Sequence, residues 1–142
     1  MTALTTDRST PYRAGDQVSD PLATGAVIYA GALYALDDDG NAVPATADGN
    51  TVRAVAQARA VQADGDERVD GHRGAWRFGN AAGAAELTRA DIGGVAYVAD
   101  DQTVSKTGTA VAGLVLDIED GEVWVDIGRA SVTVAAAEAA GE

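Results

Sequence analysis

The chain has 142 residues, with 22 acidic against 10 basic side chains and a formal charge of −12, a length that suits one compact domain or two very small ones. So acidic a surface repels nucleic-acid phosphates and anionic membranes, and the scattered bases form no stripe, so neither nucleic acid nor membrane is expected as a partner. Cysteine is absent, which excludes disulfides and thiolate metal sites.

Hydrophobic residues make up 46% of the chain but aromatics only 5%. A core of Ala and Val buries less apolar area per residue than one of Leu and Phe. A thin core, helped by oligomer contacts, is therefore expected. The N-terminal MTALTTDRSTPYRAGD has no apolar h-region. No apolar run approaches the roughly 20 residues that a membrane helix needs. The expectation is a soluble protein made in the cytoplasm without a signal peptide.

Residues 1–24 are polar, include Pro11 and Pro21, and show neither helical nor strand periodicity. They read as an extended N-terminal arm, either a flexible tail or a docking element pinned by a partner. In the docking reading Thr5, Thr6, Arg8, Pro11, Tyr12 and Arg13 are the residues that grip.

From Gly25 the texture changes. Ala26–Tyr29 and Ala32–Leu36 are apolar, with Gly31 as a bend or bulge between them. DDDGNA is a turn, and Val43-Pro44-Ala45 a short edge strand. Val52 to Gln62 alternates in part, as a strand does. Arg68 to Phe78 reads as one longer strand with Trp76 and Phe78 on the same face. Gly79 to Ala85 is a small-residue connector, and Ala84 to Ala90 a helical turn. Val95–Ala99, Thr103–Ser105, Ala110–Ile118 and Val123–Ile127 are strands, the last two joined by the tight turn EDGE. Ser131–Val134 is expected as an edge strand, and 135–142 as an Ala-rich C-terminal tail with some helical tendency.

The fold expected is mostly β: a small β-barrel or sandwich of short antiparallel strands behind the arm, with the domain over 25–134. Ala54-Val55-Ala56 with Asp64-Gly65 echoes Ala110-Val111-Ala112 with Asp120-Gly121 at one offset. Two similar halves, 25–80 and 87–128, are one reading of this echo. Chance matching among short Ala/Val strands with DG turns is the other.

No motif carries chemistry. His72 stands alone in DGHRG, and no serine sits in a G-x-S-x-G elbow. Asp37, Asp39, Asn41 and Asp48 fall at calcium-loop spacing, but Ala42 replaces the obligatory glycine and Pro44 interrupts. GNAAGA lacks the Lys-Ser/Thr of a phosphate loop. No catalytic residue, no metal ligand and no cofactor is expected, and the chain reads as a non-enzyme. Tyr34, Trp76, Tyr97 and Trp124 are expected as packing or interface anchors.

Leu87-Thr88-Arg89-Ala90-Asp91-Ile92-Gly93, Tyr97-Val98, Asp100-Asp101-Gln102-Thr103-Val104, Ala112-Gly113 and Val123-Trp124-Val125 together resemble the capsid decoration, or cement, proteins of tailed phages and prophages. The pattern covers about the C-terminal third. The upstream half agrees more loosely, and Gly71–Gly83 and the Ala-rich C-terminus depart from it. The resemblance implies a β-rich, often trimeric structural protein on the outer surface of an icosahedral capsid, at three-fold or quasi-three-fold positions. There it bridges neighbouring capsomers, with the major capsid protein and its own copies as partners, the arm sharing in the grip, and no enzymatic activity. The alternative from the residues is a carbohydrate- or receptor-binding head-fibre module, which needs exposed aromatics around a groove.

Overall fold

The computed structural model describes residues 2–141. The strands of the first half are β1 (Gln17–Pro21), β2 (Val27–Ile28), β3 (Leu33–Leu36), β4 (Ala42–Pro44), β5 (Val52–Ala56), β6 (Ala60–Val61) and β7 (Arg68–His72). Those of the second are β8 (Ala75–Asn80), β9 (Val95–Asp100), β10 (Thr103–Ser105), β11 (Val111–Glu119) and β12 (Glu122–Asp126), followed by the helix α1 (Arg129–Ala140). The protein is mostly β, with short and largely antiparallel strands, as the turn spacing predicts.

Strand order in the first half is β1-β7-β5-β3-β4, with β2 and β6 as a separate ribbon. The second half closes as β10-β8-β12-β11-β9. These are the same topology, β8 to β12 standing for β1, β3, β4, β5 and β7. Register agrees as well. Leu33↔Val55, Tyr34↔Ala54 and Ala35↔Val52 in the first half correspond to Val95↔Leu114, Ala96↔Gly113 and Tyr97↔Val111 in the second. Both hairpins carry a one-residue bulge, at Arg53 and at Ala112. Both are entered through a turn whose glycine has positive φ, Gly31 at 85° and Gly93 at 90°. The amides of these glycines bond the equivalent carbonyls of Ala56 and Val115.

The halves differ at the seam. In the second, β8 and β10 pair in parallel, with the Gly79 amide on the Gln102 carbonyl at 3.0 Å and the Ala81 amide on that of Val104 at 2.9 Å. In the first, only the bridge Leu22↔Ala42 and the bond from the Ala23 amide to the Ala42 carbonyl remain. Pro21 stands where Gly79 stands and has no N–H to donate, so the first half stays an incompletely closed sheet.

Their interiors differ too. In the first half Tyr34 is fully buried among Leu22, Ile28, Val69 and several alanines. Its hydroxyl donates to Asp20 Oδ2 at 2.8 Å. Arg53, on the bulge, reaches both Asp20 oxygens at 3.2 Å. Arg73 donates to the Arg53 carbonyl at 2.8 Å. By register, the second half has Phe78, Ala96, Ala112 and Ile127 at the positions of Asp20, Tyr34, Arg53 and Arg73, all buried. An ionic cluster thus replaces an apolar one.

A shared core joins the halves. The outer face of β3–β5, Leu33, Val52 and Val55, enters the same apolar cluster as Phe78, Val98, Val115 and Val125 of the second barrel. The Leu33 amide bonds the Asp101 carbonyl at 2.9 Å across the joint. Thr109 Oγ1 bonds the Ala47 carbonyl at 3.2 Å. On the second half, α1 covers the corresponding outer face, with Ala135 against Tyr97 and Val111.

Several expectations need correction. The arm does not extend to residue 24, because Gln17–Pro21 pairs along its length with β7. Asp20 faces inward there, and a buried acid hides the strand's alternation. Ser131–Val134 is no edge strand but lies in α1, which also takes up 135–140 of the expected tail; its alanines favour a helix once a surface is there to pack on. The expected strand Arg68–Phe78 breaks at Gly74, whose φ is 113°. The expected strand from Val52 to Gln62 divides into β5 and β6. The halves begin at β1 and β8, not at 25 and 87. Trp76 therefore belongs to the second half, where it pairs with Val125 next to Trp124.

The Tyr34 site generates two predictions. A Cβ at Gly71 overlaps the Tyr34 hydroxyl and lies 2.8 Å from the Ala54 Cβ, so Gly71→Ala lowers stability by about 1–3 kcal/mol, the range for overpacking, read by urea unfolding. Burial, and then the bond to Asp20, push the Tyr34 hydroxyl well above the ordinary tyrosine range. Its contribution is fully present below the unfolded tyrosine pKa of about 10. Above that pH the unfolded chain releases the proton while the fold retains it, so stability falls by about 1.4 kcal/mol per pH unit. Denaturation between pH 9 and 11, as a bracket around that pKa, shows this slope in the parent and loses it in Tyr34→Phe.

Candidate docking surface

Residues 2–14 lie outside both barrels, exposed and without regular structure apart from a bend at Thr5–Thr6. Tyr12 is 92% exposed and Leu4 73%. Such apolar exposure on a short segment is what a docking peptide offers. Arg8 folds locally: its Nη1 lies 3.4 Å from Thr10 Oγ1, and its carbonyl accepts the Thr10 amide at 3.1 Å. Among the described residues, neither Arg8 nor Arg13 pairs with a carboxylate. The arm thus presents two guanidiniums without a carboxylate partner, Arg8 turned toward Thr10, in front of a strongly acidic body. Thr5, Thr6, Arg8, Pro11, Tyr12 and Arg13 all fall on this one segment.

The root of the arm is tied down. Asp16 accepts the Arg73 amide on its carbonyl at 2.8 Å, and its carboxylate lies 3.3 Å from His72 Nε2. His72 in turn sets its ring edge against Trp76, with centroids 5.7 Å apart and planes at 79°. Trp76 donates from Nε1 to the Arg73 carbonyl at 3.3 Å. The arm is therefore anchored on Arg73 and its neighbours, where the first half passes into the second. Beside this root lies a cleft of about 490 Å³ lined by Arg13, Gln17, Ser19, Gln57, Asp70 and His72. Its lining mixes polar and apolar side chains.

The aromatic anchors do not converge. Tyr34 is inside the first half, and Tyr97 lies under α1. Trp76 packs at the rim of the second core. Trp124 points outward, its Nε1 bonding Glu119 Oε1 at 3.2 Å. Glu119 also pairs with Arg77, the cross-strand neighbour of Trp124, at 3.0 Å. Sequence reading missed Asp16 and the structural part of His72. The two are distant in sequence and no spacing links them; only the pairing of β1 with β7 brings them together.

Several other acids brace turns. Asp37 Oδ1 accepts the amides of Asp39 at 3.0 Å and Asn41 at 2.9 Å. Asn50 crosses to Asp38 at 3.1 Å. Among the described residues no group of three or more His, Asp or Glu could hold a metal ion. The segment 87–104 is scaffold in the same sense. Leu87 is buried and exchanges two hydrogen bonds with the Asn80 side chain. The Asp91 carboxylate accepts the Thr88 amide at 2.8 Å, which holds its carboxyl below the usual range. Asp100 accepts the Gln102 amide at 2.9 Å.

Compared with protein-family models, with curated proteins and with solved structures, the chain matches none.

The arm's exposure gives a direct prediction. Arg8→Ala, Tyr12→Ala and Arg13→Ala each change unfolding free energy by less than about 0.5 kcal/mol, as exposed sites do, checked by chemical denaturation.

Proposed function

We propose that this chain is a structural protein of a tailed-phage or prophage head. It sits as a homotrimer on the outer surface of the icosahedral shell and bridges neighbouring capsomers of the major capsid protein. The observation that carries this reading is the arm: an exposed segment that carries Tyr12, Arg8 and Arg13, rooted by Asp16 on a braced joint. Fully extended, residues 2–14 reach about 40 Å at ~3.3 Å per residue. That length suits a grip on a neighbouring subunit. Ordering such a segment costs about 1–2 kcal/mol per residue, and the gain comes from contacts repeated over many copies on one shell. The acidic body suits the outside of a crowded assembly, where like charge keeps particles apart. Resemblance over 87–125 supports the same reading, because its residues here shape turns and strands.

Mass spectrometry of particles from the producing cells, washed in rising salt, is expected to find this chain in a fixed ratio to the shell protein. Rebinding of purified chain to stripped particles falls at least about tenfold, or 1.4 kcal/mol, when Arg8, Tyr12 and Arg13 are all changed to Ala. Particles lacking the chain overturn the reading. Unchanged rebinding by the triple variant removes the arm as the grip.

A further inference from the structure

The turn that enters the hairpin occurs in both halves, and a groove of about 290 Å³ lies beside each copy. In the second half the Gly94 amide bonds the Asp91 carbonyl at 2.9 Å; in the first the Ala32 amide bonds the Tyr29 carbonyl at 3.1 Å. By register, Tyr29 stands where Asp91 stands. The two grooves differ in what they leave open. In the second half the Asp91 carboxylate accepts the Thr88 amide at 2.8 Å and meets the Lys106 ammonium at 3.7 Å, so that groove satisfies its own charges. The groove of the first half opens on the joint: Tyr29, Gly31 and the adjacent alanines come from one half, Asp101 and Gln102 from the other. Tyr29 is 58% exposed. Among the described residues, the side chains of Tyr29, Asp101 and Gln102 have no hydrogen-bond or ion-pair partner. The backbone beneath them is pinned. The Asp101 carbonyl accepts the Leu33 amide at 2.9 Å, the Gln102 carbonyl accepts the Gly79 amide at 3.0 Å, and the Gln102 amide bonds Asp100 Oδ1 at 2.9 Å.

We propose that this groove binds a neutral glycan, with Tyr29 as the stacking ring and Asp101 and Gln102 as the hydrogen-bonding groups. A tyrosine presents an apolar face and a polar tip. A pyranose ring has the matching form, with C–H groups on its face and hydroxyls at its edge. Sugar hydroxyls both donate and accept. A carboxylate offers acceptor oxygens, and a carboxamide offers two donors and an acceptor, so Asp101 and Gln102 together answer neighbouring hydroxyls. Side chains held on a fixed backbone lose little freedom when a ligand arrives. The groove is at the small end of ligand sites and lies between two structural units, where such sites tend to form; its size suits a terminal sugar. The charge of −12, with Asp101 inside the groove, repels carboxylated and sulfated sugars. The site is on the body, apart from the arm, and does not depend on a shell.

The test puts the full chain on an array of neutral and anionic glycans and measures the best binder by saturation-transfer NMR. Neutral glycans are expected to bind. Tyr29→Ala and Asp101→Ala each weaken that binding at least about tenfold, the cost of truncating a central contact, while Tyr29→Phe retains it because the ring face remains. Tyr12→Ala, which removes the exposed ring of the arm, leaves binding unchanged. Neither Tyr29 nor Asp101 holds a side-chain partner among the described residues, so all four variants keep the parent's urea midpoint, and a loss of binding reports on the groove. An array without a neutral binder overturns the proposal, as does a preference for anionic glycans. Binding that Tyr29→Ala leaves in place, or that Tyr12→Ala removes, overturns it too. So does a groove that takes N-acetylarginine amide and no sugar, because its chemistry is then that of a cation site.

Discussion

Burial of the outer β3–β5 face is the constraint on which the rest depends. Each half is a small barrel or near-barrel whose inside is filled largely by Ala and Val. Such an interior excludes little apolar area from water, and small domains are short of buried surface in any case. Seating Leu33, Val52 and Val55 on the second barrel joins two thin cores along one side. The cross-joint bonds at Leu33 and Thr109 follow from that contact. So does the placement of Arg73 and Trp76, between the two barrels, where the arm is rooted.

Within that frame the halves have taken different solutions at matching positions. The second is closed by backbone pairing and filled by apolar side chains. The first gives up part of its closure at Pro21 and holds an ionic cluster around Tyr34. A buried ion pair loses hydration that its mutual attraction only partly returns, so this cluster is not the cheaper way to fill the space. What it does is link β1, β3 and β5 through side chains: Asp20 meets Tyr34 and Arg53 at once. β1 is the strand that follows the arm. A pull on the arm is therefore carried by β1 into the sheet by a polar tie, in addition to the ladder with β7.

Much of the strand plan was legible. The EDGE turn reads from sequence alone, and Asp120 and Gly121 both take positive φ, at 52° and 78°, as a two-residue hairpin turn requires. Gly31 bends where the apolar runs on either side imply a break. The arm was legible as a polar segment without period, but its boundary was not, because Asp20 occupies an inward position. The repeat was harder. A sequence echo aligns Ala54-Val55-Ala56 with Ala110-Val111-Ala112, whereas the register aligns Val52–Ala56 with Val111–Val115. Short Ala/Val strands match one another at more than one offset. Only hydrogen-bond pairing, with its bulges at Arg53 and Ala112, discriminates between them. The aromatic anchors illustrate the same limit: Tyr34 and Tyr97 read alike, yet one holds a buried acid and the other lies beneath a helix.

Local chemistry determined what local chemistry can: where the chain turns, which runs are extended, how acidic the surface is, and that the first residues follow neither helical nor strand periodicity. Those are properties of a few neighbouring residues and of composition. Tertiary structure decided which strand closes which barrel, which copy of one apolar face receives a barrel and which a helix, and how Asp16 meets the segment that holds the arm. Each of these depends on contacts between residues far apart in the chain. The free energy that selects them comes from area buried on both partners at once, and no single stretch of sequence carries it.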